Sequence, residues 1–224
     1  MKFNPNTDKI AITIPKFSLL KHSDSPFQKY NEPYVVSVAL DASGNATPEI
    51  DFNLMSFPNI TEGGTVTMLG DGHIVYGPRN PGDFVAVSIL VMEKDQDVRD
   101  LGEQIEAVVQ SKATDLGIKA IVATNPGSAV VLALLKELTG LVAGFLKKNK
   151  DDELFRVHGT YLKGKAVPYD INRSFTYKND YVSIDLSVIP LREHNEQGPA
   201  PRAIFLESET EQLLKVPREA VHAR

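Results

Sequence analysis

DFVAVSILVMEKDQDVRDLGEQIEAVV, residues 83–109, changes its hydrophobic period half-way along. Residues 84–92 are apolar on both faces, the pattern of a central strand covered on each side. From about residue 98, Leu101, Ile105, Val108 and Val109 recur at helical spacing instead. Between the two patterns stand Asp95, Asp97 and Asp100. A buried strand therefore ends in a carboxylate-rich turn and gives way to a helix.

Upstream of that strand, residues 9–93 read as strands and turns. KIAITI (9–14) puts Ile10, Ile12 and Ile14 on one face, and YVVSVAL (34–40) is rich in β-branched residues. PEIDFNL (48–54) alternates, with Ile50, Phe52 and Leu54 inward and Glu49, Asp51 and Asn53 outward. The short pieces TVTML and HIVY follow, set off by Gly63-Gly64 and Asp71-Gly72 turn signals.

Downstream, IKAIVA (118–123) has no clear assignment, and an NPG turn at 125–127 opens a second helix, SAVVLALLKELTGLVAGFLKK (128–148). Strands return at ELFRVHGTYL (153–162) and, after a loop, at YVSIDLSVIPL (181–191). In the last, Val182, Ile184, Leu186 and Val188 face inward, opposite Tyr181, Ser183, Asp185 and Ser187. Ser208 and Glu211 have capping-box spacing before QLLK, and Pro217 stops that short helix. The expected fold is mainly β with an α insertion. It is one antiparallel β-sandwich domain over 1–224, with a helical insertion near 98–150 and a C-terminal tail, 202–224, carrying a short helix. A wound α/β sheet fits poorly, because its helices should alternate with strands and here they come in one block.

Composition narrows the function classes. The chain has 224 residues, 42% apolar and 24% charged, which suffices for a real core. It has no cysteine, which excludes disulfides, thiolate metal sites and cysteine nucleophiles. A net charge of -5 with no basic stripe argues against a nucleic-acid partner; the KKNK run at 147–150 is followed at once by DDE. The N-terminal MKFNPNTDK lacks the apolar core of a secretory signal, so the default expectation is cytoplasmic. Residues 128–148 approach the length of a bilayer span and carry Gly140 and Gly144 at GxxxG spacing. Lys136 and Glu137 at the centre of the stretch favour a buried or interface helix instead. No P-loop, Rossmann glycine pattern, HExxH or GxSxG motif occurs, and the five histidines show no ligand spacing.

The aspartates admit three readings: catalytic carboxylates, caps and turns, or calcium ligands. As caps and turns, Asp100 with Glu103 three residues later starts a helix, Asp97 gains from the helix dipole and Asp95 caps a turn. As calcium ligands, Asp-x-Asp offers two carboxylates from one turn and Asp100 folds back as a third. An EF-hand is excluded, since its sixth and twelfth positions, counted from Asp95, would be Asp100 and Glu106.

ILVMEKDQDVRDLG, with Asp95, Asp97, Asp100 and then Leu101-Gly102, resembles the strand and carboxylate loop of a C2 domain. Glu32-Pro33-Tyr34-Val35 is similar to the way that family starts its next strand, with Asp24 in the preceding loop. The resemblance covers roughly residues 9–102. It implies a C2-like sandwich whose calcium ligands would be Asp95, Asp97, Asp100, Asp24 and Glu32, and whose partners are proteins or anionic membranes. The function expected is a non-enzymatic C2-like binding or assembly module, acting through a protein partner or self-association. One alternative is calcium-dependent docking on phospholipid; another is a hydrolase using loop carboxylates.

Overall fold

A computed structural model describes residues 2–21, 30–42, 50–57, 59–94, 101–124, 127–148 and 150–191. Among the described residues, nine strands and three α-helices run in the order β1 (Lys9–Leu19), β2 (Pro33–Asp41), β3 (Asp51–Ser56), β4 (Thr65–Thr67), β5 (His73–Arg79), β6 (Phe84–Glu93), α1 (Leu101–Asp115), α2 (Ile118–Ala123), α3 (Ser128–Lys148), β7 (Asp152–Leu162), β8 (Arg173–Lys178) and β9 (Val182–Leu191). Two antiparallel sheets result. One has the order β4-β1-β9-β8 with β5 also on β1, and the other β3-β2-β6-β7.

All nine residues of β2 and all ten of β6 are buried, because this sheet is covered twice. Val35, Ala39, Val85, Val87, Ile89 and Val91 point into the core between the sheets, where Ile10, Ile12, Ile14 and Phe17 meet them. The alternate residues, Val36, Val38, Leu40, Ala86, Leu90 and Met92, point the other way. They pack on Ile105 and Val109 of α1 and on Val131, Leu135, Leu138 and Val142 of α3. The molecule is thus a β-sandwich with a third, helical layer. Each fully buried aliphatic side chain contributes about 1.5–3 kcal/mol to the stability of the two cores.

The helical block is an insertion in the topological sense. β6 and β7 are direct antiparallel partners, Phe84 opposite Leu162 and Glu93 opposite Asp152, and all three helices lie between them in sequence. α3 folds back over the sheet from which it came.

Three local readings change. IKAIVA is helical, forming α2 after Gly117, which adopts a left-handed conformation at φ 60°. RSFTYK, read as loop, is the edge strand β8; only Phe175 and Tyr177 are apolar, so its period is faint. Ile50, Phe52 and Leu54 do face inward, but onto the helical layer rather than the opposite sheet, and Asp51 is a half-buried ion-pair partner. The tail helix expected within 202–224 lies outside the described residues.

Candidate functional site

One end of the sandwich brings together the strand ends that flank the segments the sequence singled out. β1 leaves there at Leu19, β2 starts at Pro33, β6 stops at Glu93 and β7 starts at Asp152. Pro33 and Asp152 flank Glu93 in register, and the Lys94 backbone N–H donates to the Glu32 carbonyl at 3.3 Å. Glu32 is exposed, one residue before β2, beside the point where segment 95–100 departs. Asp95, Asp97, Asp100 and Asp24 lie outside the described residues. Among the described residues no three His, Asp or Glu side chains are placed to hold a metal ion.

Two carboxylates at this end are nonetheless deeply buried, Glu93 at 1% exposure and Asp151 at 3%. Both have polar or charged neighbours. The Tyr34 hydroxyl donates to Asp151 Oδ2 at 2.5 Å. Burial, and then the hydrogen bond and charge of Asp151, push the Tyr34 phenol far above its ordinary range, so it stays a donor. Sequence inspection missed Asp151 because DD after KNK reads as a solvated charge run; its burial follows only from β7 closing on β6.

The helical layer offers a second surface. α3 buries Val131, Leu135, Leu138, Thr139, Val142, Ala143 and Leu146, and its opposite face is open. Val130 is 47% and Leu141 40% exposed on that face, beside Ala133, Gly140 and Gly144. By length and composition α3 could cross a membrane, although a soluble core helix passes the same test. Its C-terminal end is pinned to β7 by Glu153, which accepts from Lys147 Nζ at 2.8 Å and Arg156 Nη2 at 2.7 Å. Burial acts to raise the Glu153 carboxyl, but those two cations outweigh it and hold it below its usual value.

A third polar cluster ties the sheets together away from both surfaces. Arg79 of β5 donates to Asp41 of β2 at 2.5 Å and to Asp51 of β3 at 2.8 Å, while Tyr76 donates to Asp41 at 2.7 Å. These partners come from different strands, and no linear motif marks them. The cluster joins one sheet's edge to the other's and is structural.

No protein-family model matches the chain, and no curated protein matches it.

Proposed function

We propose that this chain is a non-enzymatic β-sandwich module acting through protein–protein contacts, with a second copy of itself as partner and the outer face of α3 as contact surface. The observation that carries the reading is the open apolar face of that helix, where Val130 and Leu141 are 47% and 40% exposed. Gly144 allows close approach: a Cβ built there would touch nothing within 4 Å, whereas one at Gly140 would lie 3.5 Å from Arg156 Nη1. Lys136 and Glu137 make the face self-complementary. In an antiparallel, two-fold pair crossing near them, Lys136 of one copy meets Glu137 of the other, and Ala133 meets Gly140.

Sedimentation equilibrium tests this. The wild-type chain should self-associate to a dimer, and Val130→Asp with Leu141→Asp should be monomeric with unchanged far-ultraviolet circular dichroism. A monomeric wild type at high protein concentration would overturn the reading.

A second reading, calcium-dependent contact with anionic phospholipid, has its own support. Glu32, Glu93, Asp151 and Asp152 stand at one end of the sandwich, where the Asp95–Asp100 segment leaves. Calcium ligands drawn from two loops and a strand end would converge there. Its test is calcium-dependent sedimentation with phosphatidylserine vesicles, abolished by Asp95→Asn with Asp97→Asn. Absence of binding in calcium would remove it.

A further inference from the structure

β8 is the outer strand of its sheet, and one side of it is open. The Asn179 N–H donates to the Val182 carbonyl at 3.0 Å, which closes the hairpin to β9 as a hydrogen-bonded pair. Bonded pairs recur at every second residue of an antiparallel ladder, so Phe175 and Tyr177 turn their backbone groups to β9. Ser174, Thr176 and Lys178 turn theirs away from the sheet. All three are exposed, and among the described residues nothing outside the β8–β9 ladder bonds to their backbone.

Beside that edge the sandwich itself is open. β7 is the last strand of the other sheet on the same side, as the contact of the Tyr161 and Phe175 rings at 6.3 Å shows. A narrow apolar slot lies between the two strands, lined by Val87, Val157, Gly159, Tyr161, Tyr177 and Leu186. Gly159 keeps it clear: a Cβ built there would touch nothing within 4 Å. A strand added to β8 would turn every second side chain inward, level with Phe175 and Tyr177 and toward this slot.

The ends of β8 select the partner. Arg173 and Lys178 stand there, both exposed, and Asp170, which pairs with Arg173, is shared with Lys165. A second copy of β8 laid antiparallel on the first would bring the Arg173 end of one beside the Lys178 end of the other, cation near cation. A different chain with carboxylates at those places meets the opposite charge instead.

We propose that the β8 edge receives an extended peptide of another protein as an added strand, with an apolar residue directed at the Gly159 slot and acidic residues beside Arg173 and Lys178. Main-chain bonds would supply affinity, and the slot and the two cations specificity. This surface lies on the sheet away from α3 and does not rest on the self-association proposed above.

Fluorescence anisotropy tests it with a labelled synthetic peptide that alternates valine and threonine and carries aspartate at each end. Thr176→Pro removes one outward N–H and leaves the pairing with β9 intact. Thr176→Val is its control, since both lose the hydroxyl's bond to Asp185 but only proline loses the N–H. The peptide should bind the wild type and Thr176→Val alike, and Thr176→Pro and Gly159→Leu severalfold more weakly. A version with lysine at each end should also bind the wild type severalfold more weakly. No binding to the wild type at millimolar peptide, or equal binding to Thr176→Pro, overturns the proposal. So does a wild-type dimer that Thr176→Pro dissolves, which would give the edge to a second copy. Should Thr176→Pro not fold, the peptide N-methylated at every second residue, in either phase, replaces it on the wild type. One phase should abolish binding, and equal binding by both overturns the proposal.

Discussion

Tyr34 donates its phenolic proton to Asp151 across 2.5 Å, joining the start of β2 to the residue before β7. This bond sets the distance between the two segments that frame the loop end. Both residues are buried, so neither group can be replaced by water without rearrangement. Tyr34→Phe removes the donor and leaves the carboxylate short of one partner. The expected loss is about 1–3 kcal/mol. A lower urea midpoint with an unchanged slope would show it, and an unchanged midpoint would mean that the bond is not holding the end together.

Arg79 and Asp51 respond to their shared environment in opposite senses. Burial raises the Asp51 carboxyl in spite of the guanidinium, whereas Arg79 is driven further toward its charged form by Asp51 and Asp41 against its own desolvation. Arg79→Met would strand two carboxylates and should cost roughly 3–5 kcal/mol. Asp51→Asn at neutral pH should cost much less, since the fold already disfavours that charge. The sign with pH follows. A raised carboxyl contributes stability below its unfolded value and loses it as pH rises through the folded one. Chemical denaturation of the two variants at neutral pH checks the order, and equal losses would contradict it.

Glu153 has the reverse sign. Its carboxyl is held below the usual value, so its stabilising contribution is present above the unfolded pKa and is lost as pH falls through the folded one. Glu153→Gln should therefore destabilise at about pH 7 and approach the wild type at about pH 3. Urea unfolding at both values measures the difference; a gap that persists undiminished in acid would assign the effect to shape rather than charge.

Calcium offers a separate check on the loop end. Calcium at about 100 times its dissociation constant adds about 2.7 kcal/mol by mass action. A calcium-specific rise in melting temperature, lost in Asp95→Asn with Asp97→Asn and not given by magnesium, is what the second reading expects. No rise at millimolar calcium would leave these aspartates as caps and turns.

The strongly periodic parts of the chain were legible from the start. Ile10, Ile12 and Ile14 alternate in the inter-sheet core, β6 is buried on both faces, and α3 spans Ser128–Lys148 as its turn and composition require. Local pattern is enough where one face of an element must be apolar. It is not enough for β8, whose neighbours supply the order that its own sequence lacks, nor for α2, which is too short to show a period. The polar clusters were illegible for a different reason. Ser88 to His158, Tyr34 to Asp151 and Asp41 to Arg79 are contacts between distant segments, and each residue in isolation looks like ordinary strand or turn polarity. The two-sheet sandwich was legible in the strand pattern, but the helical layer's position over β2 and β6 was not.

The absence of cysteine makes the proposed antiparallel α3–α3 contact directly measurable. Ala133→Cys and Gly140→Cys proteins, mixed under mild oxidation, should form a disulfide-linked dimer, because the proposed pair sets these positions opposite each other and a disulfide needs Cβ atoms about 3.5–4.5 Å apart. Either protein alone should remain uncrosslinked. No dimer in the mixture, or equal crosslinking in the separate samples, would contradict the contact.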